Sequence, residues 1–140
     1  MRVCLDTNVL VAAFATRGLC ADVLRTVLAE HELVIGDVIL DELRRVLSTK
    51  FKVPADRLAG IEAVFATFPV IPKPRATGLA TIRDPADRWV YATAIAGTAD
   101  VLVTGDQDVL AVREESPLLI LEPRAFWELL RASPPTESSP

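Results

Sequence analysis

The chain is poor in the side chains that carry nucleophilic or soft-metal chemistry. Its 140 residues include one histidine and two cysteines. Cys4 and Cys20 form no Cys-x-x-Cys and have no histidine beside them, which argues against zinc. Both read as buried structural thiols. His31 follows Glu30 at the end of a helical stretch and reads as a helix C-terminal residue, not a ligand. Any chemistry must therefore rest mainly on carboxylates. Long apolar runs are also missing, since none approaches the ~18–20 residues of a membrane span. Met1-Arg2 leads straight into an apolar stretch, with no secretory pattern in view, so the expected location is cytoplasmic. A basic surplus is missing too: 15 basic residues face 19 acidic ones, a net charge of −4. Taken globally, that argues against tight electrostatic binding of nucleic acid.

What is present is material for a core. Hydrophobic residues make up 51% of the chain, enough for one domain, expected over 1–132. The remaining Ser-Pro-Pro-Thr-Glu-Ser-Ser-Pro140 has nothing to bury and is expected to be a disordered polar tail.

The first ten residues set the plan. Val3-Cys4-Leu5 is a short apolar run that ends on Asp6, Thr7 and Asn8, after which Val9, Leu10, Ala13 and Phe14 recur at helical spacing. The pattern predicts a buried strand, then a helix, with Asp6 at the junction. Further on, Ala21–Glu30 reads as a helix, Leu33-Val34-Ile35 as a strand closed by Gly36, and 38–48 as a helix capped by Asp37. In that helix Ile39, Leu43, Val46 and Leu47 form the buried stripe. Pro54 fits the first turn of the next helix, which runs to about Thr67 and pairs with its predecessor as an antiparallel hairpin. Pro69–Pro72 suits a short strand and Lys73–Gly78 a loop. Asp84-Pro85 opens a helix that ends near Gly97, Val101–Val103 is a strand, and Asp108–Val112 a helical turn. Leu118–Leu121 is the last strand, and Pro123 starts the final helix. Strands alternate with helices throughout, so the fold class is α/β with a mostly parallel sheet of four to five short strands.

Two strands end in acids by the same logic. Asp6 follows Val3-Cys4-Leu5, and Asp106 follows Val101-Leu102-Val103 with Thr104 and Gly105 between. Ligands of open α/β sheets bind at the carboxyl ends of strands. Glu42, one turn into its helix, and Asp87, at the start of another, are expected at the same edge. Each acid also has an ordinary reading as a helix cap or solvated residue. Independent caps do not explain why acids follow two separate strands. Four carboxylates in one place repel one another and call for a hard cation, Mg²⁺ or Mn²⁺. Such an ion can orient a water and stabilise charge during phosphodiester cleavage. Setting the four aside leaves 15 acids against 15 basic residues, so the acidic excess equals the site. Arg44, Arg45, Lys50, Lys52, Lys73, Arg75, Arg83 and Arg88 are candidates for phosphate contacts. Asp41 and Asp108 read as solvated or supporting residues.

At these positions the chain resembles the PIN-domain family of nucleases. Val-Cys-Leu-Asp6-Thr-Asn8 is similar to its first motif, Leu40-Asp-Glu42-Leu to its helical glutamate, Asp87-Arg-Trp-Val-Tyr-Ala-Thr-Ala94 to its third motif and Leu102-Val-Thr104-Gly-Asp106 to its fourth. Asp87 is preferred to Asp84 because its distance to Ala92-Thr93-Ala94 fits the motif, and Asp84 suits the cap. The likeness is greatest to small bacterial VapC-like members, the toxins of type II toxin–antitoxin pairs. The resemblance implies a three-layer fold with helices on both faces of the sheet. It implies an Mg²⁺- or Mn²⁺-dependent endoribonuclease in which water attack leaves a 5′-phosphate. Asp6, Glu42, Asp87 and Asp106 map onto the catalytic and metal-binding acids, and Asn8 and Thr104 onto supporting polar positions. Arg44, Arg45 and Arg88 become the RNA-contacting candidates. A homodimer and a cognate antitoxin are the implied protein partners.

Two other classes compete. A catalytically silent PIN-like module binding RNA or protein would have no reason to bear the electrostatic cost of four acids. An aspartate phosphatase expects a second aspartate two residues after the first, where Asn8 stands. A phosphoacceptor receiver expects a lysine after a late strand, where Glu122 stands.

Overall fold

A computed structural model describes residues 1–76 and 81–132. The end of the expected Lys73–Gly78 loop and the expected polar tail lie outside them. The elements run β1 (Arg2–Leu5), α1 (Thr7–Ala15), α2 (Leu19–Glu30), β2 (Glu32–Gly36), α3 (Asp37–Thr49), α4 (Ala55–Phe65), β3 (Val70–Ile71), α5 (Pro85–Ala96), β4 (Val101–Val103), α6 (Gln107–Leu110), β5 (Leu119–Leu121) and α7 (Pro123–Ala132). The five strands form one sheet in the order β3-β2-β1-β4-β5. Every pairing is parallel.

The strands are near-continuous apolar runs because they are buried on both sides. Val3, Cys4, Leu5, Leu33, Val34, Ile35 and Val101 to Val103 are all buried, as a parallel sheet covered by helices requires. On β2, Val34 and Gly36 face α5: a Cβ at Gly36 would lie 2.5 Å from Thr93 Cγ2, and Val34 packs against Gly97. Right-handed crossovers then put α1 to α4 on the opposite face. Phe14 of α1 meets Phe65 of α4 edge to face at 5.9 Å there. α7 carries the buried Phe126 and packs on α2.

The predicted stripe Ile39, Leu43, Val46 and Leu47 is the buried face of α3. α3 and α4 pair as expected, and Arg44 Nε donates to Glu62 Oε2 across them at 2.8 Å. Asp84 caps α5 by accepting the Ala86 N–H at 2.9 Å, with Pro85 in the first helical position. His31 is the C-cap of α2, its Nδ1 3.2 Å from the terminal amine.

Most boundaries shift by one or two residues, and three helix starts differ from the sequence reading for a physical reason. Gly36, not Asp37, caps α3, because the last residue of β2 hands the chain directly to the helix. Pro54 is the cap of α4, one residue before its first turn. α2 begins at Leu19, since Gly18 at φ 144° turns the chain there. Among the described residues no single helix is long and apolar enough to cross a membrane, and α1 and α2 meet at a 106° bend.

Candidate metal centre

The site begins with sheet register. Leu5 of β1 pairs with Val103 of β4, so the next residues, Asp6 and Thr104, emerge side by side. The Asp6 N–H donates to Val103 O at 2.9 Å, extending the ladder by one step. Order β3-β2-β1-β4-β5 reverses direction between β1 and β4, which is where a doubly wound sheet opens its ligand crevice.

Asp6 is the N-cap residue of α1, yet its carboxylate makes no capping bond. Instead Asp6 Oδ2 accepts from Thr104 Oγ1 at 2.6 Å, and Thr104 Oγ1 accepts the Asp106 N–H at 3.0 Å. Both Asp6 and Thr104 are buried. Burial raises the Asp6 pKa above the usual carboxylate range. The Thr104 and Thr7 hydrogen bonds oppose that rise, and the charges of Glu42 and Asp106 add to it.

Asp87 reaches the crevice from the first turn of α5 and is buried. Its pKa is pushed up to about 8, first by burial, then by the neighbouring Asp106, with which it lies close enough to share a proton. Its Oδ2 is buried and has no hydrogen-bond partner among the described residues. One oxygen each from Asp87, Asp106 and Asp108 lie within 4.8 Å of one another. Buried polar atoms are ordinarily satisfied, and clustered carboxylates cannot all ionise without a counter-charge. An orphan carboxylate oxygen in an oxygen-only donor set is what a hard cation such as Mg²⁺ or Mn²⁺ fills. The residues present fit that ion.

The structure therefore brings Asp87 and Asp106 together, with Asp6 tied to Asp106 through Thr104. Glu42, half-buried on α3, acts on Asp6 through its charge and lies 3.9 Å from Arg45. Asp108 was read as solvated or supporting, and joins the cluster because α6 starts immediately after Asp106. No periodicity marks it, since it sits in the first turn of a four-residue helix. Asp106 is also that helix's cap, accepting the Asp108 N–H at 2.8 Å. Asn8 is exposed, and its neighbour Thr7 is the residue buried beside Asp6, its hydroxyl without a partner among the described residues.

The arginines divide. Arg44 is held by Glu62 and Asp41. The Arg88 guanidinium donates to the carbonyls of Ile82 and Arg83, bracing the segment before α5. Arg83 reaches Asp108 at 3.4 Å. Arg45 lines a cleft of about 370 Å³ beside Glu42, together with Val38, Asp41, Lys73, Ala86 and Trp89.

Fold and site together define a parallel α/β protein with an acidic centre at its switch point. Residues 2–108 match the PIN domain family, and the chain belongs to it. Among curated proteins no sequence match is significant. Among solved structures, the chain is similar to one in VapBC2 from Rickettsia felis bound to a DNA fragment from its promoter. The TM-score is 0.60 at 21% identity, covering 87% of this chain and 98% of the other. That likeness is one of fold.

Proposed function

We propose that the protein is an Mg²⁺- or Mn²⁺-dependent endoribonuclease, the toxin of a toxin–antitoxin pair. The observation that carries the metal-dependent hydrolase is the orphan Asp87 Oδ2 inside the Asp87, Asp106 and Asp108 cluster, beside the buried Asp6. Membership of the PIN family supports a nuclease. RNA as substrate and the toxin role come from the motif resemblance, and the fold is shared with a chain of the VapBC2 complex.

In this reading Asp6, Glu42, Asp87 and Asp106 hold the cation, with Asp108 beside them. When bound, it neutralises charge on the scissile phosphate and supplies the attacking water. The chain's own residues do the rest. The Thr104 hydroxyl fixes the orientation of Asp6 and, through the Asp106 N–H, the start of α6. Asp87, whose pKa is raised, would have to be deprotonated to serve as a ligand, so cation binding would be coupled to proton release. Arg45 contributes a phosphate contact, and Arg44 and Arg88 mainly brace the helices that carry Glu42 and Asp87. Water adds at phosphorus as the bond to the ribose 3′-oxygen breaks, leaving a 5′-phosphate. The protein works as one cytoplasmic domain over residues 1–132, pairs with a second copy and is silenced by a cognate antitoxin.

The test is cleavage of a mixed RNA pool with Mg²⁺ or Mn²⁺, comparing wild type, Asp6→Asn and wild type with EDTA. Cleavage lost in both controls is expected. Well-folded protein that neither cuts RNA nor binds the ions would overturn the enzyme reading in favour of a binding module.

A further inference from the structure

The cleft beside Glu42 holds an aromatic face that the acidic centre does not use. Trp89 lies on α5, the helix that carries Asp87, and lines the cleft that Glu42 of α3 also lines. The indole is half-buried. Its contact on the open side is Lys73 Nζ, 4.4 Å from the ring centroid. Lys73 is exposed, and among the described residues Arg45 has only the loose 3.9 Å ion pair with Glu42. The cleft thus presents one aromatic plate flanked by two cations, and its wall includes Glu42 and Asp41.

That combination is how single-stranded nucleic acid is held: a base stacks on the ring while phosphates meet the cations. A volume of about 370 Å³ is at the small end of ligand clefts and suits a single nucleoside, not a protein helix. An exposed lysine on an indole is a weak contact, and a stacked base is a stronger one. A base can therefore take the lysine's place and free the ammonium for the backbone.

We propose that Trp89 is the stacking platform for an unpaired base of the RNA strand, flanking the phosphate held at the acidic centre. Lys73 swings from the ring onto the adjacent phosphate as the base enters. The proposal rests on the ribonuclease reading and adds a contact that selects unpaired substrate.

Binding is tested on Asp6→Asn protein in Mg²⁺, titrated with a mixed-sequence single-stranded RNA hexamer and with an abasic sugar-phosphate hexamer. The RNA hexamer is expected to quench tryptophan emission, the abasic one not, and the quench is expected to vanish when Trp89→Phe is added. In the cleaving protein Trp89→Ala should raise KM about tenfold, the loss of one stacked base. Trp89→Phe should stay within about threefold, because a phenyl ring still stacks. Lys73→Ala should reduce the slope of log affinity against log salt by about 0.7, one phosphate contact on a single strand. Equal quenching by the abasic hexamer, or an unchanged KM in folded Trp89→Ala, overturns the stacking site while RNA cleavage by wild type leaves the nuclease standing. Base-dependent quenching of Trp89 with no cleavage by wild type does the reverse.

Discussion

Thr104 Oγ1 donates to Asp6 Oδ2 at 2.6 Å across 98 positions of sequence, and with its lone pair accepts the Asp106 N–H. One buried hydroxyl thereby fixes the acids at the ends of β1 and β4 relative to each other. Neither acid could be aimed by its own strand alone, because both lie beyond the register pairs Leu5 to Val103 and Val103 to Leu121.

Thr104→Val keeps the shape and removes the bond. The buried Asp6 carboxylate then keeps the Thr7 backbone donor and loses the Thr104 hydroxyl, at a cost of about 1–3 kcal/mol. Mn²⁺ affinity measured by calorimetry should fall by about 10–100-fold, the usual effect of losing a group that orients a metal-binding carboxylate. Thr104→Ser should retain most of both, and a fully stable, fully active Thr104→Val would refute the role.

The metal-free protein should lose stability as pH rises. An unfolded aspartate gives up its proton near pH 4 (about its ordinary value), whereas folded Asp87 holds it to about pH 8. Folding takes up a proton between these values, so the stabilisation is complete below the unfolded pKa and lost as pH rises through the folded one. Thermal melts in EDTA should show Tm lower at about pH 8.5 than at about pH 5.5, with a smaller difference in Asp87→Asn. Mn²⁺ should restore stability most at the higher pH. A pH-independent Tm over that range would count against the buried, crowded carboxylate.

Asp106→Asn separates structure from chemistry. Asparagine caps helices as well as aspartate does, so the bond from the Asp108 N–H survives. Removing one charge from a crowded cluster should leave Tm unchanged or raise it, while metal affinity and RNA cleavage fall at least about tenfold. A marked drop in Tm would mean that the carboxylate's main part is structural.

Gly36→Ala tests the packing that sets the site's width. The added methyl would meet Thr93 Cγ2 at 2.5 Å and Ile71 O at 3.0 Å, pressing α5 away from β2. Overpacking of this kind costs about 1–3 kcal/mol. Because α5 carries Asp87 and α3, which Gly36 caps, carries Glu42, activity should fall further than stability explains. Denaturant unfolding beside a cleavage assay decides it.

Much of this architecture was legible in the chain because its signals are local. A three-residue apolar run closed by a small polar residue marks a buried strand and its end, which located Asp6 and Asp106 at strand termini. Asp84-Pro85 is a cap followed by a first helical residue, which left Asp87 one turn further on and free to face the crevice. Asp108 was not legible as part of the cluster, since an acid in a helix's first turn looks the same whether it faces water or an ion. Nor was the occupation of Arg44 and Arg88, whose partners include Glu62 and the carbonyl of Ile82, set by how helices and loops meet.

The sequence by itself determined the alternation of strands and helices, the buried stripe of α3 and the acids at two strand ends, because each depends on neighbours within a turn or a strand's length. Only the tertiary structure decided that Thr104 bonds Asp6, that Asp87 Oδ2 is stranded beside Asp106 and Asp108, and that Lys73 lies over Trp89. Those follow from the parallel register of β1 with β4 and from the packing of α3 and α5 at one sheet edge. Contacts between residues tens of positions apart depend on the summed geometry of every element between them, which no local pattern encodes.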